Sequence, residues 1–279
     1  MNRLIIPLLF AIGFQLPAFG QGTLTPSGAP APTMKSLAQI EPRIPVSYEE
    51  YYIGSPGSYY LTTNLTGASA GNPYGIFIAS DNVTVDLNGF TVQGGSGSSV
   101  GVYISGSHTN IVIRNGIITG WGINGVDWTH PSFPPQNVVL EHLTVSLNGQ
   151  SGINTANGYV VSDCSIQNNG GAGIALLGNG SLIIGNTLAG NNSANGASSG
   201  GIVVEGLNNR IEGNHVTGSG SAGYGIAFNF VGDTNNVIVR NSVSGNGANN
   251  YSTAGGSGND WGPIGTAATS TSPWANISH

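Results

Sequence analysis

Residues 125–131 read GVDWTHP, which puts a carboxylate (Asp127), an indole (Trp128) and an imidazole (His130) within four positions. Only 6% of the residues are charged, so the cluster stands out. A carboxylate beside an imidazole can move protons as general acid and base. An aromatic ring can lie against a sugar while the carboxylate accepts hydrogen bonds from its hydroxyls. Which of these chemistries is open depends on the elements that carry the three side chains.

Those elements repeat, and repeats decide the fold before any motif does. A glycine followed by a β-branched residue recurs in GIFI at 75, GVYI at 101, GVDW at 125, GINT at 152, GIAL at 173, GIVV at 201 and GIAF at 225. The copies lie 21–28 residues apart. Each is followed by an asparagine-containing turn (Asn82, Asn110, Asn137, Asn157, Asn179, Asn209, Asn236) and an alternating apolar strand. A second polar column then runs Asn88, Asn115, His142, Cys164, Asn186, Asn214, Asn241. No copy has room for the helix that a βαβ crossover needs. Three short strands and three turns per copy predict an all-β chain: a single-stranded right-handed parallel β-helix of about seven coils. Equivalent asparagines would hydrogen-bond up the stack as a ladder, and Asn suits the left-handed turn conformation. Cys164 falls in a ladder slot and reads as a buried structural thiol.

The ends bound the rest. Residues 1–20 (one basic residue, an apolar run to Phe19, small residues at Ala18 and Gly20) read as a cleavable signal peptide, so the expected location is secreted or cell-envelope. Pro7, Gln15 and Pro17 interrupt that run too early for a transmembrane helix. Residues 21–73 read as an N-terminal extension and cap, with a short helix from Thr33 to Pro42 and an opening strand at 57–65. Residues 74–248 carry the repeats, and 249–279 an irregular C-terminal cap in which Trp261 and Trp274 pack. Without Arg3 the chain has five basic against twelve acidic residues, a net of −7. Clustered Lys and Arg, which nucleic acid requires, are missing. A single cysteine forms no internal disulfide.

The coil pattern resembles the right-handed β-helix proteins of the pectate-lyase-like superfamily, and the flanks (LTPSGAPAPTMKSLAQIEPR and PGSYYLTTNLTG ahead, GPI and PWANIS behind) resemble an exported, uncharacterised bacterial group within it. The resemblance implies that the sheet formed by the glycine-led strands carries a saccharide cleft on its outer face. Strand alternation points the first and third residues after each glycine inward and the second and fourth outward. Trp128 is therefore a core residue, whereas Asp127 points outward in a column running Phe77, Tyr103, Asp127, Asn154, Ala175, Val203, Ala227. Glu205 stands in the parallel outward column.

The favoured reading is a protein that binds an extended polysaccharide or cell-envelope component along Phe77, Tyr103, Asp127, Asn154 and Glu205. If it turns the glycan over as lyase, hydrolase or epimerase, Asp127 acts with His130, and the stiff HPSFPP turn walls the cleft. On that reading Asp127→Ala abolishes binding or turnover and leaves the fold intact. Hydrolysis needs two carboxyls ~5–9.5 Å apart, but Glu205 is three coils from Asp127, ~14 Å at strand spacing. The columns lack the carboxylate group that calcium needs, no metal or cofactor is expected, and the polygalacturonase signatures NTD, DD, GHG and RIK are missing. DWTHP is a faint echo of the epimerase motif DPHE. A second charged column, Arg114, Glu141 and Asp163, lies on another sheet and reads as cross-strand ion pairing. The alternative is a catalytically silent structural or cell-surface scaffold whose exposed apolar patch of Ala175, Val203 and Ala227 contacts a terminus, a second copy or an envelope partner.

Overall fold

Glycine before each strand is the mark of coil stacking. A Cβ on Gly125 would lie 2.6 Å from the Gly152 carbonyl oxygen and 2.6 Å from Val145 Cγ1, so the next coil closes down on bare backbone. The computed structural model describes residues 42–48, 50–67, 73–128, 132, 134–196, 199–253 and 255–279. Residues 1–20, the expected helix residues Thr33, Leu37 and Ile40, and His130 lie outside the described residues, as do Pro131 and Phe133 of the HPSFPP turn.

All the paired strands run parallel, in two sheets. The nine-stranded sheet stacks Tyr51–Ile53, Tyr74–Ile78, Val100–Ile104, Val126–Trp128, Ile153–Thr155, Ile174–Leu176, Gly200–Val204, Tyr224–Phe228 and Asn249–Ser252 in chain order. Seven of these are the glycine-led copies, and one strand is added at each end. The solenoid therefore makes about eight turns rather than seven. Asn250 takes the place of glycine in the last strand of this sheet, where its amide donates to Ser278 Oγ and the His279 carbonyl, each at 2.9 Å. The 18-stranded sheet supplies the other sides of every coil. In two coils a single long strand, Thr109–Thr119 or Gln136–Ser146, bends through both sides at a left-handed residue, Asn115 (φ 60°) or His142 (φ 53°). No helix occurs among the described residues.

The interior is a continuous file of Val, Ile and Leu. Every inward slot assigned by alternation is buried except Trp128, which is half-buried and packs against the same core. Polar residues enter that interior as ladders, because each buried amide finds the same amide one coil away. One ladder runs Cys164, Asn186, Asn214, Asn241, Asn276, with side-chain amide bonds of 3.0, 3.0 and 3.1 Å between the four asparagines and the Cys164 N–H donating to Asn186 Oδ1 at 2.9 Å. A second runs Ser181, Asn209, Asn236, Asn259. A third, which the sequence reading did not separate from the turns, runs Asn148, Asn169, Asn191 at 2.9 Å per step.

The two asparagine columns expected from sequence each merge adjacent positions. Asn82, Asn110 and Asn137 are left-handed turn residues (φ 54–59°) linked in an exposed ladder, whereas Asn209 and Asn236 are the inward residues one place later. Likewise Asn88, Asn115 and His142 adopt positive φ, while Cys164, Asn186, Asn214 and Asn241 point inward. The C-terminal segment is more regular than expected: Asp260–Trp261, Ile264–Gly265 and Asn276–Ser278 continue the large sheet. Trp261 closes the core edge-on to Phe228 (5.4 Å) and Tyr251 (5.9 Å). Trp274 does not enter the core and is 47% exposed.

Candidate functional site

The outer face of the nine-stranded sheet carries the expected column in register. Tyr52, Phe77, Tyr103 and Asp127 pair strand to strand, and Asn154, Ala175, Val203, Ala227 and Ser252 continue it. Tyr52, absent from the sequence reading, extends the aromatic end by one coil. These rings stack on one another: Tyr52 on Phe77 at 5.6 Å, Phe77 on Tyr103 at 5.1 Å, and Tyr74 on Tyr103 at 4.4 Å. Tyr103 is consequently buried, and the exposed ring is Tyr52. The ring faces that were to meet a sugar are thus largely spent on each other. The file forms a ridge with a small cavity of about 190 Å³ lined by Glu50, Tyr52, Tyr74 and Phe77, and burial raises the Tyr74 hydroxyl pKa, with Tyr103 and Asp127 adding to the shift.

Asp127 lies where this ridge ends, and it is buried rather than solvated. Oδ1 accepts the Trp128 N–H (2.8 Å) and the Asn154 side-chain amide (3.0 Å), and Oδ2 accepts the Asn124 amide (2.7 Å). Asn124 Oδ1 in turn accepts the Ser151 N–H at 2.8 Å. The carboxylate thereby ties its own turn to the next coil. Sequence reasoning missed Asn124 because it reaches Asp127 from the turn before the strand. His130, the expected helper, lies outside the described residues.

Beyond Asn154 the column shrinks to Ala175 and Val203, and the ridge gives way to a trough of about 340 Å³. Ala175 and Val203 line it together with the side chains of Gln150, Ser151, Ser199, Glu205 and Asn229, while Asn192 beside them is buried with its amide closed on the Gly196 backbone. Asn229 donates its amide to Glu205 Oε1 at 2.7 Å, which fixes that carboxylate. Ala175, Val203 and Ala227 are 8, 3 and 1% exposed, so they do not make the exposed apolar patch expected from alternation. Turn residues rise beside them and sink them, Ala172 packing directly on Ala175 and Val203. The face thus brings together Phe77, Tyr103, Asp127 and Asn154 as one contiguous file, with Glu205 farther along the trough.

The other charged column behaves as an ion-pair network. Asp86 lies 3.6 Å from Arg43 and 3.4 Å from Arg114, which lies 3.9 Å from Glu141. Glu141 pairs in register with Ser162, so Asp163, a left-handed turn residue, is one place out of Glu141's column. No cluster of three or more His, Cys, Asp or Glu suited to a metal ion occurs among the described residues.

Comparison with known proteins places this architecture. The family model described as "Right handed beta helix region" matches residues 57–193. The solved enzymatically active domain of tailspike protein 2 from bacteriophage CBA120 superposes with a TM-score of 0.53 at 17% identity, over 75% of this chain and 38% of that one. The full-length tailspike protein 2 of the same phage gives 0.51 at 16% identity, over 77% and 35%. The chain therefore spans well under half the length of those proteins. The A-module of the mannuronan C-5 epimerase AlgE6 from Azotobacter vinelandii gives 0.49 at 16% identity, over 85% and 80%. No curated protein sequence matches the chain. In fold, the chain is a right-handed parallel β-helix, and residues 57–193 match the right-handed β-helix family model.

Proposed function

We propose that this is an exported protein that binds an extended polysaccharide along the outer face of the nine-stranded sheet, seating it in the trough. The observation that carries the reading is the trough itself, in which Ala175 and Val203 on successive coils lie among the side chains of Gln150, Ser151, Ser199 and Asn229. A sugar chain presents apolar ring faces and hydroxyl edges, and that lining complements both. Through Asn124, the anchored Asp127 holds the backbone of Ser151, which lines the trough. The leader-like composition of residues 1–20 supports export.

The test fills the trough with a ring that this column already tolerates at Phe77 and Tyr103. Ala175→Tyr should lower affinity for the bound glycan at least tenfold, about 1.4 kcal/mol, measured well below its melting temperature, which crowding against Ala172 should lower by a few degrees. Binding would be measured by retardation in gels containing acidic or neutral polysaccharides, with release of reducing ends and unsaturated sugars followed in parallel. Undiminished binding by Ala175→Tyr, or no retardation by any glycan in a broad panel, refutes the assignment.

A further inference from the structure

A second cavity, of about 400 Å³, opens on the 18-stranded sheet, whereas the trough lies on the nine-stranded one. Its floor is Val237 and Val239, two aliphatic side chains on the outward side of their strand. Arg210 and Asp260 flank Val237 in register, one coil before and one coil after. Ser272 and Trp274 come over the floor from the C-terminal segment.

Trp274 is mounted with unusual care for a half-exposed residue. The Arg240 guanidinium lies 4.1 Å from its ring centroid. Arg240 also donates from Nε to the Pro273 carbonyl at 3.1 Å and from Nη1 to Glu212 at 2.9 Å. Glu212 is in turn held by Arg210 Nε at 2.6 Å. One face of the indole is thus occupied by a cation locked in an ion-pair network, while the residue remains 47% exposed beside an open cavity. Ordering a large exposed side chain costs entropy; a rigid, amphipathic ring at a cavity mouth is how aromatic anchors lower the cost of binding.

We propose that this cavity is a second saccharide site, separate from the trough, which takes a neutral sugar unit. Trp274 and the two valines meet the ring's apolar face, and Arg210, Asp260 and Ser272 meet its hydroxyl rim. Neutrality follows from the charges: Arg210 and Arg240 are balanced by Glu212 and Asp260, so the site attracts neither a carboxylate nor an ammonium. The volume suits a small ligand, since such pockets span about 300–1,000 Å³.

The test titrates the full chain with neutral gluco-, xylo- and manno-oligosaccharides and with an oligouronate, following tryptophan fluorescence. A saturable change is expected with a neutral oligosaccharide. Trp274→Ala should weaken it at least tenfold and Asp260→Ala at least threefold, while Ala175→Tyr leaves it unchanged. Asp260 is exposed, so its variant decides the matter if Trp274→Ala does not fold. The proposal is overturned if no neutral oligosaccharide gives a saturable change or if the oligouronate binds better. It is equally overturned if Trp274→Ala and Asp260→Ala bind like the parent. Binding lost only in Ala175→Tyr would uphold the trough and remove this site; the reverse pattern would uphold this site and remove the trough.

Discussion

Replacing Asp127 with alanine should unfold the middle of the solenoid before it affects anything else. The carboxylate accepts three hydrogen bonds, from Trp128 N–H and from the amides of Asn124 and Asn154. Asn124 is buried, so its amide would be stranded, at about 1–3 kcal/mol. Trp128 N–H and Asn154 are part-buried and regain some hydration, so each loses about 0.5–1.5 kcal/mol. Sharing of the network makes these costs less than additive, and the expected destabilisation is about 2–4 kcal/mol, roughly 5–15 °C in Tm for a chain of this size. Asp127→Asn should be nearly as damaging, because one oxygen becomes an amide donor facing another donor. Urea and thermal unfolding of both variants, followed by tryptophan fluorescence, measures this. If Asp127→Ala unfolds within about 0.5 kcal/mol of the parent, the clamp contributes nothing measurable. Loss of glycan binding with unchanged stability would instead mark Asp127 as a direct ligand contact.

The ladders make a sharper comparison. Asn214→Ala strands the Asn186 N–H and the Ile183 carbonyl inside the core and should cost about 2–5 kcal/mol. Asn110→Gly removes an exposed ladder step while keeping the left-handed turn and should cost under about 1 kcal/mol; equal melting shifts would contradict the inward and outward assignment. The Cys164 thiol is pushed by burial from an ordinary 9.0 up to about 11. It should resist a thiol-specific dye at pH 8 until urea unfolds the chain, so stoichiometric labelling of the folded protein would refute its placement. Because the folded thiol stays neutral where the unfolded one ionises, its stabilising contribution is lost as pH rises from about 9 toward 11. The Glu212 carboxyl is held below its ordinary 4.5, first by the hydrogen bond and charge of Arg210 and then by the charge and hydrogen bond of Arg240. Its contribution is full above about pH 4.5 and disappears as the pH falls through the depressed folded value. Glu212→Gln should flatten that part of the acid limb in a pH series of melts; an unchanged limb would remove the network from the account.

What the sequence determined by itself was whatever depends on local periodicity. Alternation within each glycine-led strand settled which side chains enter the core, and the spacing of the copies settled the parallel stack, since both are set by backbone geometry over a few residues. Adjacent asparagines defeated the same reasoning. The left-handed turn residue and the inward ladder residue sit side by side and both favour Asn, so one column was read where two exist, as at Asn110 and Asn209. Tyr52 extends the outer file without a preceding glycine, and so escaped the repeat. The tertiary structure alone decided what the outer face is like. Asp127 is buried because Asn124 from a turn and Asn154 from the next coil close over it. Ala175 and Val203 are a trough floor instead of a patch because turns on neighbouring coils rise beside them. A strand's alternation reports which way a side chain points, but whether it meets water is set by residues some twenty positions away, brought beside it by the winding of the coil.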